Sequence, residues 1–397
     1  MLPQIVRVEL RSGGKLRTAS EETPRRFDSP ERPSDCVFDF SEEVFVATSV
    51  LLGVKEGAFG EPLRRLDDLS HLVGNTPLLE IHLEYRGEPR VLYAKYEALN
   101  MTGSIKDRMV VNILRHGYED GLLKPGDTIV EATSGSTGIS CASIGRAMGH
   151  PVTIFMPDWM SRERSQLIRS LGAEIVPITS DQGGLMGSIR QCERFAAENR
   201  DVFLPRQFAN PANLAAHVLG TGPEIEEQLR RIGRRPDAFV AAVGTGGTVM
   251  GVGRYLRRKN PKVRVYPVEP KESPTLTTGY KAGSHRIQGV SDEFIPALVK
   301  LDELDEVLSI SDGDSILLAQ KLAVELGLGV GISSGCNLLA ALEAQDRLGA
   351  SATVVTILCD DNKKYLSTDL CRDEPVRPEY TSPHVRFTGF RSLPRCF

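Results

Sequence analysis

Residues 128–156 read TIVEATSGSTGISCASIGRAMGHPVTIFM. A β-branched run, 128–132, stops at a cluster of Thr, Ser and Gly; a helical run follows from Thr137, and a second strand-like run comes at 152–156. Two parallel strands need a long crossover between them, and a helix of this length supplies one. The alternation continues with a helical run at Arg162 to Leu171, EIVPI at 174–178 and a helical run at Gly187 to Glu198. AFVAAV (238–243), VRVYPVE (263–269) and ATVVTIL (352–358) are strand-like again, with helical stretches between the first two and before the third. Strand–helix alternation of this kind predicts parallel sheets covered by helices, the α/β class.

Outward from this core the chain is ordinary. Its 397 residues predict two or three domain-sized units. With 48 basic against 52 acidic residues there is no sign of a nucleic-acid footprint. No apolar run approaches the ~18 residues of a membrane helix, and residues 1–20 lack the pattern of a secretory signal. Seven cysteines, at 36, 141, 192, 336, 359, 371 and 396, form no CxxC pair or Cys/His ligand spacing. Reduced thiols, no metal site and a cytoplasmic location are therefore expected. Residues 1–66 form an N-terminal extension in which SEETPRRFDSPERPS (20–34) is too polar and Pro-rich to be well ordered, while 38–54 is apolar enough to dock on the body. Residues 372–397 carry Pro375, Pro378, Pro383 and Pro394 and read as an extended tail.

Several short stretches carry chemistry. In NMTGSIKDR (100–108) a Gly–Ser turn leads into Lys106 at the start of a helix, where a cation opposes the helix dipole. Taken singly, it is one basic residue among 48. In EATSGSTG (131–138) hydroxyls and backbone N–H groups gather at a helix N-terminus, an anion site suited to a carboxylate. VGTGGTVMG (243–251) lets backbone approach a phosphate, with Thr245 and Thr248 as hydroxyl donors. A dinucleotide fold competes here, since Glu269 stands about 20 residues downstream, but Val249 occupies the third glycine of GxGxxG. LPRQFANPAN (204–213) is a polar loop that brings the Gln207 amide toward a substrate, and GISSG (331–335) sets two hydroxyls ahead of a helix.

Together these stretches resemble the cysteine synthase (O-acetylserine sulfhydrylase) family of fold-type II pyridoxal 5′-phosphate (PLP) enzymes. The likeness runs from LVGNTPL (72–78) through the stretches above and HRIQG (285–289) to KKYLSTDL (363–370), about 300 residues in one order. It implies two domains, each a twisted, mostly parallel sheet flanked by helices, with PLP in the cleft between them. Residues 67–210 would form the domain of the PLP lysine and the substrate carboxylate, with part of 78–99 packing on the other; 211–371 would form the phosphate-cup domain.

The resemblance also assigns roles. Lys106 matches the Schiff-base lysine; Gly244, Thr245, Gly246, Gly247 and Thr248 match the phosphate cup. Thr133, Ser134, Gly135 and Thr137 match the loop that grips the substrate carboxylate, with Gln207 assisting, and Ser333 matches the serine facing the pyridine nitrogen. A serine leaves that nitrogen unprotonated, so the ring is a weaker electron sink and loss of a β-substituent is favoured over transamination.

The implied reaction is β-replacement on O-acetylserine or O-phosphoserine with a sulfur nucleophile, giving cysteine or an S-substituted cysteine through an aminoacrylate, with Lys106 moving the Cα proton. A homodimer acting on a small amino acid and a sulfur donor is implied too. Ser136 departs from the family's asparagine beside the cofactor's 3′-oxygen, Ala132 from its common proline, and SDEFIP (291–296) from its commonest loop. These departures keep a PLP-dependent lyase (cysteine desulfhydrase or serine/threonine dehydratase) or a cystathionine β-synthase-type reaction open as alternatives. A retired binding protein has no need of Lys106.

Overall fold

The computed structural model describes residues 60–290 and 293–396. The expectations for the extension before residue 60, and for Ser291 and Asp292, lie outside the described residues.

In chain order the elements are α1 (Gly60–Ser70), β1 (Leu78–Tyr85), β2 (Glu88–Tyr96), α2 (Lys106–Glu119), β3 (Thr128–Ala132), α3 (Ser136–Ala147), β4 (Val152–Pro157), α4 (Arg162–Ser170), β5 (Glu174–Ile178), α5 (Gly184–Glu198) and β6 (Val202–Phe203). There follow α6 (Pro211–Ala216), a π-helical turn (His217–Thr221), α7 (Gly222–Arg231), β7 (Ala238–Ala242), α8 (Gly247–Lys259), β8 (Arg264–Pro270), β9 (Leu308–Ile310), α9 (Asp312–Leu326), α10 (Ile332–Leu348), β10 (Val354–Leu358) and β11 (Val385–Leu393). The six strands read from the sequence lie within a residue or two of their expected ends.

Two sheets result. The smaller, in the order β5-β4-β3-β6, is parallel throughout. The larger runs β11-β1-β2-β10-β7-β8-β9. Its β2-β10-β7-β8-β9 part is parallel, and β1 is antiparallel to both neighbours. Helices cover the sheets, so the parallel strands are buried on both faces and read as apolar runs. Ile129, Ile154 and Ile168 meet in the core of the smaller sheet; Val240, Val268 and Val354 meet in that of the larger.

Leu78–Tyr96 forms a hairpin in the larger sheet. Its turn is Arg86–Gly87, both at positive φ (54° and 83°), the pair of conformations that matches the twist of two strands joined by a two-residue loop. The C-terminal segment differs from the extended tail expected for 372–397: Val385–Leu393 pairs along all of β1 and closes the sheet edge. Its prolines precede the strand or follow it, so none breaks the ladder. Cys396 N–H then donates to Asn75 Oδ1 at 2.7 Å. Helix α1 begins inside the stretch assigned to the extension and buries Leu66 in the same core as α2.

A buried ionic cluster fixes α2 against the larger sheet. Arg108 bonds Glu97 (2.6 Å) and Glu224 of α7 (2.7 Å), and Glu224 also holds Lys95 of β2 (2.7 Å). Two cations face two carboxylates, so the charge is balanced where desolvation would otherwise be prohibitive. Burial raises the Glu97 and Glu224 carboxyls, but the Arg108 guanidinium overrides it and holds both below their ordinary range.

Candidate active site

The loops that follow β3, β7 and β10, at the carboxyl ends of parallel strands, converge on one cavity of about 900 Å³ including its open mouth. It is lined by Lys106, Thr133, Ser134, Ser136, Thr137 and Gln207 on one side, and by Gly244, Thr245, Gly246, Thr248 and Ser333 on the other. Gly135 and Gly247 are the two expected site residues not on its wall. Crevices at strand carboxyl ends are the general place for ligands in open α/β sheets.

Lys106 is the first residue of α2. The loop before it is pinned from both sides. Asp107 accepts from the Thr102 and Ser140 hydroxyls, each at 2.6 Å, tying it to α3. Ile105 N–H donates to Cys359 O at 2.9 Å, and the Lys364 ammonium donates to Gly103 O at 2.9 Å, tying it to the end of β10. Gly103 sits at φ 74°, where a Cβ would stand 2.3 Å from the Asp361 carboxylate. Among the described residues no hydrogen bond or ion pair engages the Lys106 amine.

At the β3–α3 turn, Gly135 N–H donates to Thr133 Oγ1 at 3.0 Å. Thr137 donates to Gln207 Oε1 at 2.7 Å, and Gln207 Nε2 donates to Ala132 O at 2.7 Å. Gln207 lines the cavity, and its amide braces the loop through both its oxygen and its nitrogen. Behind it, Glu131 accepts from Ala132 N–H and Gln207 N–H, and complete burial pushes its carboxyl up to about 7.

The β7–α8 turn is a cradle. A Cβ at Gly244 would stand 2.4 Å from Gly289 O, one at Gly246 2.4 Å from Val299, and one at Gly247 2.0 Å from Asn213 Oδ1. Only bare backbone fits, at the N-terminus of α8, where helix N–H groups lack partners within the helix. Asn213 Nδ2 orients Thr245 (2.9 Å), and His217 Nε2 lies 3.3 Å from Thr248 Oγ1. Burial and the nearby Arg108 charge drive His217 down to about 3, so it is neutral at physiological pH. This cup, together with the unengaged amine of Lys106, fits a phosphate-bearing aldehyde cofactor.

Of the two hydroxyls in GISSG, Ser333 lines the cavity, whereas Ser334 Oγ accepts from Cys359 N–H at 2.9 Å. Ser136 Oγ donates to Asp360 Oδ2 at 3.3 Å, and Tyr365 Oη donates to the same oxygen at 2.7 Å. A carboxylate only accepts, so Ser136 gives it its one proton and turns lone pairs to the cavity. Asp360, Tyr365, Cys359 and Arg164, all on the wall, were missed in the sequence. CDDNKKY (359–365) reads as a charged surface turn until β10 delivers it to the cleft.

The comparisons with known proteins agree with this geometry. The family model described as pyridoxal-phosphate dependent enzyme matches residues 69–360. The chain is 39% identical over 308 residues to a probable cysteine synthase of Bacillus subtilis (strain 168), covering 78% of this chain and 98% of that one. A crystal structure of a hydrogen sulfide-producing enzyme from Fusobacterium nucleatum superposes with a TM-score of 0.82 at 50% identity, covering 84% and 99%. A cysteine synthase structure from Entamoeba histolytica gives 0.70 at 36%, covering 79% and 92%. Among the described residues no helix is long and apolar enough to cross a membrane. The chain belongs to the pyridoxal-phosphate dependent enzyme family, in its cysteine synthase-like branch: a fold-type II PLP enzyme of β-replacement on serine-derived amino acids.

Proposed function

We propose that the chain joins sulfur to the β-carbon of an activated serine, O-acetylserine or O-phosphoserine, to give cysteine or an S-substituted cysteine. The observation that carries this reading is the meeting, in one cavity, of an unengaged Lys106 amine, a side-chain-free cup and a hydroxyl-rich loop.

Bound PLP supplies an electron sink conjugated to the substrate's Cα. The cup Gly244–Thr248 would hold its phosphate at the α8 N-terminus, and Ser333 would serve its ring nitrogen. Lys106 would anchor the cofactor, and its amine would take the Cα proton of the substrate and later return it. N–H and hydroxyl groups of Thr133–Thr137 hold the substrate carboxylate, with Gln207 keeping Thr137 in place and Gly135 and Gly247 acting through backbone shape. Ser136, turned by Asp360, presents an acceptor to whatever donor the ligand brings. We further propose a homodimer in the cytoplasm, where the free thiols of the six described cysteines suit a reducing compartment.

The test is to supply purified holoenzyme with each activated serine and sulfide. Cysteine in proportion to sulfide is the expected result; no cysteine from either donor would overturn the reading. Light scattering on the same sample should give twice the mass of the chain.

A second reading has its own observation, the 50% identity to a hydrogen sulfide-producing enzyme over most of both chains. Here sulfur leaves Cβ of cysteine. L-Cysteine alone would then yield sulfide, with serine if water takes its place or with pyruvate and ammonia if nothing does.

A further inference from the structure

Arg164 is the largest fully buried side chain among the described residues, 1% exposed, and it lines the cavity. It projects from the first turn of α4, whose start is fastened to the β10 side of the cleft by Ser161 Oγ donating to Lys364 O at 2.8 Å. Its guanidinium lies 4.6 Å from the centre of the Tyr365 ring, an arrangement that holds the plane without using its N–H groups. Its stem crosses Gly135, where a Cβ would stand 2.1 Å from Arg164 Cδ. The bare glycine is what lets a cation pass directly against the β3–α3 loop.

Among the described residues no hydrogen-bond acceptor meets this cation. Nε and Nη1 are buried without a hydrogen-bond partner. The only carboxylate lining the cavity among the described residues, Asp360, is outside ion-pairing range and has Oδ2 taken by Tyr365 and Ser136. A guanidinium cannot shed its proton to escape burial, and an unpaired buried charge is costly unless an anion arrives.

We propose that Arg164 is a substrate-binding residue, a charged anchor for the α-carboxylate of the amino acid held by the Thr133–Thr137 loop. Hydroxyls and backbone amides would orient that carboxylate, while Arg164 supplies the charge they lack. This rests on reading the cleft as an amino-acid site.

The experiment follows the visible absorption of bound PLP in holoenzyme titrated with L-alanine, which has the amino and carboxylate groups and no leaving group, and with L-alaninamide, which lacks the carboxylate charge. Arg164→Gln should bind L-alanine roughly ten- to a hundredfold more weakly than the unaltered enzyme, and L-alaninamide equally. Arg164→Lys, which keeps the charge without the planar fork and is the gentler change to the fold, should lose less on L-alanine and nothing on L-alaninamide. Unchanged L-alanine affinity in both variants would overturn the proposal, as would equal loss on both ligands, which marks a packing role. A parallel titration with O-phosphoserine places the anion: loss confined to that ligand would move it to the β-substituent and also overturn the proposal. An unaltered enzyme that shows no cofactor band would instead break the PLP reading.

Discussion

Single residues of the cleft show what local sequence conveys and what it conceals. Lys106, the cup glycines and the Thr133–Thr137 turn were legible because each belongs to a contiguous stretch at a strand–helix junction. Asp360 was not, because its meaning depends on Ser136, far away in the chain. The pair yields a prediction. An Asn at 360 can donate to Ser136 and release its proton toward the cavity, so Asp360→Asn should shift the absorption maximum of bound PLP. In a Ser136→Ala background the same change should shift it no further; an equal shift there would show that Asp360 acts without Ser136.

In the sequence Glu131 stands in a strand and opens EATSGSTG; in the fold it holds the Gln207 loop. Its carboxyl, at about 7 in the fold against 4.5 as its ordinary value, keeps a proton the unfolded chain has lost. Stability should therefore fall as pH rises from about 4.5 to about 7 and level off above, by on the order of 3 kcal/mol from this group. Denaturant titrations across that range should show this slope in the difference between the unaltered protein and Glu131→Gln; a flat difference would contradict it.

At the scale of elements, the parallel strands were legible because burial on both faces makes them apolar runs, as in Val354–Leu358. The β1–β2 hairpin carries a weaker signal, because it is buried in alternation at Leu79, Ile81, Leu83 and Tyr85 and only Arg86–Gly87 marks the turn. Strand β11 was hidden by its prolines and by a partner some 300 residues earlier. Val385, Phe387 and Leu393 are buried on it, and together they contribute about 5 kcal/mol by apolar area. Its ion pairs Arg386–Glu84 and Arg391–Glu80 are half-exposed and add little. Deleting 385–397 would also bare the edge of β1. The truncated chain should unfold at a markedly lower temperature, as read by scanning calorimetry, and aggregate on heating; an unchanged midpoint would mean that the pairing carries no stability.

At the scale of the whole molecule, both sheets turn strand carboxyl ends to one cleft, and each side is incomplete alone. The smaller sheet brings the Thr133–Thr137 loop, the larger brings the Gly244–Thr248 turn and Ser333, and the helix that begins with Lys106 is fastened to both, by Asp107 to α3 and by Arg108 to Glu224. The α/β class was legible from alternation, whereas this convergence was legible only through resemblance, since no local pattern says which loops meet. The central claim is that Lys106, and no other lysine, carries the cofactor. Borohydride reduction of the holoenzyme followed by peptide mass mapping tests it most directly. The account predicts the cofactor's mass on the peptide containing Lys106, and its absence from every peptide of Lys106→Ala; a label on Lys95, Lys364 or any other lysine of the unaltered enzyme would contradict it.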